Sequence, residues 1–82
     1  MKNVEEFNQI IVSSVRYALG RRTYIVKVTA DYVKSVIDVI DEKFIDILIN
    51  DIRNANDYGD NCDKEVWMDL LAFLEDEKKK RN

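Results

Sequence analysis

Hydrophobic residues along this chain recur at intervals of three and four, in four separate stretches. In the first, Val4, Phe7, Ile11, Val15 and Ala18 form one stripe, with Ile10 and Leu19 beside it. One face of an α-helix repeats every 3.6 residues, so this spacing predicts a helix over residues 3–19. Asn3 followed by Glu6 has the form of a capping box, and Gly20 stands where a glycine C-cap would end the helix. The second stretch, residues 23–39, begins at Thr23 as a possible N-cap. Its stripe is Ile25, Val28, Tyr32, Val36 and Val39, widened by Val33, Ile37 and Ile40. A helix apolar over so much of its girth is expected at the centre of the packing. The rival for residues 23–28 is a short strand, since they are rich in β-branched and aromatic side chains, but no second strand offers itself as a partner.

Asp41 is the expected N-cap of a third helix over residues 42–55, with Ile40 and Ile45 as its hydrophobic staple. This helix would bury Phe44, Ile45, Leu48, Ile49 and Ile52. No glycine or proline separates it from the second, so a single long helix through Asp41 competes with a break there; the cap favours the break. Residues 54–63, rich in Asn, Asp and Gly, form a loop. Asp63 then caps a fourth helix whose apolar positions are Val66, Trp67, Leu70, Leu71 and Leu74, with Cys62 and Trp67 as its staple. Residues 75–82 are charged and expected to fray, although the basic run from Lys78 to Arg81 suits a helix C-terminus.

Composition sharpens this picture. There is no proline and there are only two glycines, Gly20 and Gly59, which favours helices joined by short connections. The fold class expected is all-α: one compact bundle of about four helices spanning residues 1–82. A lone cysteine, Cys62, excludes an internal disulfide and points to a reducing compartment. No segment has the layout of a signal peptide, and no apolar run is long enough to span a bilayer. The expected location is cytoplasmic, with no membrane partner.

The net charge of −3 conceals an asymmetry: residues 1–37 carry +3, residues 38–77 carry −10, and the last five carry +4. Two candidate faces of opposite character follow. One is acidic, built on Asp38, Asp41, Glu42, Asp46, Asp51, Asp57 and Asp60, with Asp63, Glu65 and Asp69 behind them. Such a row, held at fixed spacing by helices, imitates a phosphate track and suits a basic groove on another protein; a plain solubilising surface is the alternative. The other is the segment Arg16-Tyr17-Ala18-Leu19-Gly20-Arg21-Arg22-Thr23-Tyr24, with Lys27 following. Guanidinium groups interleaved with tyrosines suit phosphate contact and base stacking, and equally a protein interface. The structural alternative pairs Arg16 or Arg21 with Asp60 or Asp63 and places Tyr17 and Tyr24 in the core.

Catalysis is not expected. The chain has no histidine, so neither a Ser-His nor a Cys-His nucleophile pair is available, and no phosphate-binding glycine loop is present. No metal or other cofactor is expected either. Asn54, Asn56, Gly59 and Glu65 fall at positions 1, 3, 6 and 12 of a calcium-loop frame, but the first ligand should be Asp, and Tyr58 occupies a ligand position.

The string from Arg16 to Tyr24, followed by Tyr58-Gly59-Asp60, Asp63 and Trp67, resembles a group of small phage- and prophage-encoded proteins of Firmicutes. These carry an Arg-aromatic-Ala-Leu-Gly-Arg-x-Thr-Tyr segment and a later Tyr-Gly-Asp and Trp. The resemblance covers about residues 15–74. It implies a host-cell setting in which small proteins, anti-CRISPR proteins among them, bind and inhibit components of bacterial immunity. It also implies that the Arg-rich turn and the Tyr-Gly-Asp loop meet in space. The leading expectation is an accessory protein that inhibits or modulates a host or defence protein by stoichiometric binding through the acidic face. The alternatives are a small DNA- or RNA-binding regulator using the basic turn, and a homo-oligomeric structural or assembly protein. An apolar face left uncovered after the helices pack would favour the last.

Overall fold

A computed structural model describes residues 2–21 and 23–82; Arg22 and the side-chain caps expected at Asn3 and Thr23 lie outside what it describes. The chain forms α1 (Lys2–Ala18), α2 (Thr23–Ser35), a single 3₁₀ turn (Ile37–Val39), α3 (Glu42–Arg53) and α4 (Asn61–Arg81). No strand occurs among the described residues, so residues 23–28 are helical. α1 packs on α2 and α3, and α4 packs on the same two, so each helix has two principal neighbours. The Cα radius of gyration of 12.0 Å is that of a compact chain of this length. None of the described helices is long and apolar enough to cross a membrane.

The core is one cluster to which every helix contributes: Ile11, Val15 and Ala18 from α1, Val26, Ala30 and Val33 from α2, Ile45, Leu48 and Ile52 from α3, and Trp67, Leu70 and Leu74 from α4. α3 buries the five residues its pattern predicts. α2 does not. Its buried line is Val26, Ala30 and Val33, while Val28, Tyr32 and Val39 from the expected stripe are exposed and Ile25 and Val36 half-buried. The physical reason is that α2 is apolar around most of its circumference, so periodicity alone does not select the inward face. Nor is α2 more central than α3, since both touch α1 and α4.

Gly20 ends α1 with φ +79°, a left-handed conformation that costs other residues about 1–2 kcal/mol. The Arg21 N–H donates to the Ala18 carbonyl at 2.9 Å across this turn. α2 ends at Ser35, short of the expected residue 39, while the break before α3 falls at Asp41 as expected. The 3₁₀ turn closes with the Ile40 N–H donating to Ile37 O at 3.1 Å, and Asp41 is then extended and takes the N-cap position of α3. Its side chain makes no cap bond; instead the Asp41 N–H donates to Asn8 Oδ1 at 3.0 Å.

α4 differs from expectation at both ends. Its N-cap is Asp60, whose carboxylate accepts the Asp63 N–H at 3.0 Å while Asp63 Oδ2 accepts the Asp60 N–H at 3.2 Å. Asp63 is thus the inner partner of a capping box and is buried, and Cys62 lies within the helix, exposed, rather than in a staple. Two aspartates three apart satisfy two orphan N–H groups reciprocally, which one cap at Asp63 would not do. The tail does not fray. α4 is helical through Arg81, whose guanidinium donates to Ile40 O at 2.6 Å and to Ile37 O at 2.8 Å and pairs with Glu77 at 3.0 Å. The bond to Ile40 O satisfies a carbonyl left without a helical partner at the end of the 3₁₀ turn, and the bond to Ile37 O adds a second donor to a carbonyl that already accepts the Ile40 N–H.

Arg81→Ala is therefore expected to lower stability by about 1.5–3 kcal/mol, the usual range for hydrogen bonds to a charged group. Arg81→Lys should recover only part, because a single ammonium does not reproduce a two-pronged donor. Urea unfolding followed by circular dichroism checks this; an Arg81→Ala midpoint equal to wild type would show that the tail contributes nothing.

Candidate functional site

The acidic residues are only partly available for a partner. Asp46 lies 2.6 Å from Lys78 Nζ, and Asp51 receives Arg16 Nε at 2.7 Å. Asp60 is the cap of α4, and Asp57 Oδ1 accepts the Gly59 N–H at 2.8 Å. Among the described residues, that leaves Asp38, Asp41 and Glu42, grouped around the 3₁₀ turn and the start of α3, and Glu65 on α4 as expected face residues exposed with neither an ion pair nor a side-chain hydrogen bond. Asp69 is engaged by Lys34, and Glu75 by Arg53. The row of carboxylates is thus divided among intramolecular pairs rather than presented as one track.

The basic turn is likewise split. The hydrogen bond from Arg16 to Asp51, reinforced by the carboxylate's charge, raises the guanidinium's pKa above its ordinary value. Arg16 therefore ties α1 to α3, not to Asp60 or Asp63. Arg21 lies over the Tyr17 ring, 4.6 Å from its centroid, a cation–π stack on an exposed surface. Lys27 is exposed. Tyr17 and Tyr24 are not core residues: they are 59% and 78% exposed. The turn and the Tyr-Gly-Asp loop do meet, through Gly20, where a Cβ would stand 3.3 Å from Asp57 Oδ2.

The two strings that carry the resemblance mostly hold the fold. Ala18 is fully buried, Gly20 makes the turn, and the Tyr58 hydroxyl donates to the carbonyls of Ile52 and Arg53 at the end of α3. Gly59 has φ +87°, and a Cβ there would run into the Asp63 carboxylate. Tyr17, Arg21 and Tyr24 have no such duty.

These three border a larger feature that the pattern on α2 announced and the inward reading of it obscured. Tyr24, Val28 and Tyr32, each four residues apart, lie on one face of α2 and are exposed. On α1, Ile10 is 61% exposed and lines, with Glu6, Gln9, Ser13, Ser14, Tyr17 and Thr29, an open groove of about 670 Å³ along the outer side of the α1–α2 pair. Phe7 and Tyr32 meet edge to face at 6.4 Å, which fixes the antiparallel register of the two helices. The volume lies within the range of small-ligand sites, about 300–1,000 Å³, but those bury most of their ligand. This groove is shallow and open, so it offers a face to another helix or surface. Among the described residues, no cluster of three or more His, Cys, Asp or Glu side chains is arranged to hold a metal ion.

The described residues form a four-helix bundle with exposed apolar and aromatic side chains on α1 and α2. No protein-family model, curated protein or solved structure matches the chain.

Proposed function

We propose that this chain works by stoichiometric protein binding, and that its contact surface is the outer α1–α2 face. The observation that carries this is the exposure of Ile10 and Tyr17 along one groove of α1, beside the exposed Tyr24, Val28 and Tyr32 on the neighbouring α2. Contiguous apolar patches on small soluble domains mark interaction sites, and tyrosine and arginine are enriched among residues that dominate binding energy. The carboxylates of the acidic surface are largely engaged within the molecule, so that surface plays a secondary part, centred on Asp38, Asp41 and Glu42. The resemblance to small phage-encoded proteins supports an accessory role of this kind, in which a host or defence protein or a phage assembly is the partner.

The test is capture by the tagged chain from a nuclease-treated host lysate supplemented with an untagged copy of the same chain. Wild type, Ile10→Glu and Glu42→Lys are compared, with helical content verified for each. A protein retained by wild type and Glu42→Lys but lost with Ile10→Glu is the expected result. Loss with Glu42→Lys alone would move the contact to the acidic end. Retention that depends on nucleic acid would move it to Arg21 and Lys27.

A further inference from the structure

Which occupant the outer face suits is written in the charges at its two ends. Glu6 lines the groove at one end, and Arg21, stacked on Tyr17, stands at the other. Along α1, eleven residues separate Glu6 from Tyr17, about 16 Å at the helical rise. A surface with opposite charges at its ends and an uncharged middle is self-complementary under a two-fold rotation, because each end then meets its opposite on the second copy.

We infer that the α1–α2 face binds a second copy of this chain as an isologous dimer, with Glu6 of each protomer opposite Arg21 of the other. This rests on the proposed function above and names the partner at that same surface. The two-fold axis falls midway between the charged ends, at the level of Ile10, Ser13 and Ser14. There the side chains of Ser13 and Ser14 are small enough for the two α1 helices to approach closely, and Ile10 packs against its own symmetry mate. Tyr17 and Tyr24 on one side of the axis and Tyr32 on the other supply the aromatic area. Between those ends the groove is lined by the uncharged side chains of Gln9, Ile10, Ser13, Ser14 and Thr29, so among the described residues no like charges meet there.

The area sets the strength. Two helices side by side, about 20 Å long and 8–10 Å between axes, give a face on the order of 400 Å² in plan. Stable interfaces of standard size bury about 800 Å² of accessible surface per partner, so this dimer is at the small end, and dissociation in about the micromolar range or weaker is expected of it.

Sedimentation velocity on the purified chain over a wide concentration series tests it. Wild type should pass from monomer to dimer as concentration rises. Ile10→Glu, which sets two carboxylates against each other at the axis, should leave a monomer throughout. Glu6→Arg and Arg21→Glu should each weaken the dimer by about tenfold, since every reversal acts at two symmetric rim pairs, each worth a few-fold. The double variant Glu6→Arg/Arg21→Glu should return to within a few-fold of wild type. A wild type that stays monomeric up to about 1 mM, three decades above the micromolar range, overturns the second-copy inference. It leaves the face open to a different protein, which the capture experiment decides separately. A dimer that Ile10→Glu and both reversals leave intact places the contact elsewhere and overturns the inference as well.

Discussion

Replacing Trp67 with alanine is expected to cost about 4 kcal/mol, the largest loss from any single position in this chain. Trp67 is fully buried, and it is the largest of the side chains that fill the common core. It is reached from α4, which packs on α2 and α3, so truncation opens a void between three helices that are held by other contacts and collapse only partly. A domain of this length has roughly 4–12 kcal/mol of stability in all, so the variant should be close to unfolding at ordinary temperature. Because Trp67 is the only tryptophan, its own loss removes the fluorescence signal, and unfolding has to be followed by circular dichroism. Trp67→Phe separates two contributions. The indole Nε1 is buried and has no hydrogen-bond partner among the described residues, and leaving such a group unpaired costs about 1–3 kcal/mol. Phenylalanine removes that penalty while giving up part of the volume, so Trp67→Phe should lose less than half of what Trp67→Ala loses. Equal losses would mean that the indole N–H contributes a bond and that volume alone does not explain the position.

How far the fold could be read from the sequence depended on how one-sided each helix is. α3 carries its apolar residues on a single arc, and its five buried positions follow directly from the spacing. The glycine at the end of α1 and the break before α3 were equally legible, because Gly20 and Asp41 each have a local chemical reason to stop a helix. α2 defeated the same procedure. With Ile25, Val26, Val28, Tyr32 and Val33 spread around it, only its neighbours determine which line faces inward, and Ala30 sits on that line. The stripe is informative in its own right: Ile25 and Val36 pack half-buried against the core, while Val28 and Tyr32 are left exposed.

The candidate site was legible as a dense local string but not as a surface. Spacing along the chain shows that Arg16, Arg21, Tyr17 and Tyr24 are close together; it does not show that Asp51, thirty-five residues away, takes Arg16 out of play. In the same way, seven acidic residues look alike in sequence, yet Asp46, Asp51, Asp57 and Asp60 acquire partners only on folding. Ile10 was noted beside the first stripe and carried no functional weight, although its exposure on the outer side of α1 is what joins Tyr17 to the face on α2. The signal that would have found it is negative: a large aliphatic residue lying off the apolar arc.

Asn8 was passed over for a related reason, and it is the second position where a large effect is expected. It is a polar residue lying among Val4, Ile11, Val12 and Val15, and it is fully buried. Its amide donates to Val4 O at 2.7 Å and to Val39 O at 3.2 Å, and its Oδ1 accepts the Asp41 N–H at 3.0 Å. One side chain thus joins the first turns of α1 to the 3₁₀ turn and to the N-cap of α3. Both groups at that junction lack helical partners, and Asp41 does not serve them with its own side chain. Asn8→Ala should cost about 3 kcal/mol, since it removes three bonds and leaves an N–H and a carbonyl unsatisfied at a partly buried site. Asn8→Leu fills the volume but not the bonds, and should recover less than half of that loss. Asn8→Asp keeps an acceptor for the Asp41 N–H, but it cannot donate to either carbonyl and it buries a charge. It should therefore be at least as damaging as alanine above the carboxylate's titration range, and less damaging when acidified, as the protonated form regains a donor. Urea unfolding of the three variants at two pH values separates these outcomes. If Asn8→Leu were as stable as wild type, the junction would be held by packing of Ile40 and Ile45, and the amide would be a passenger.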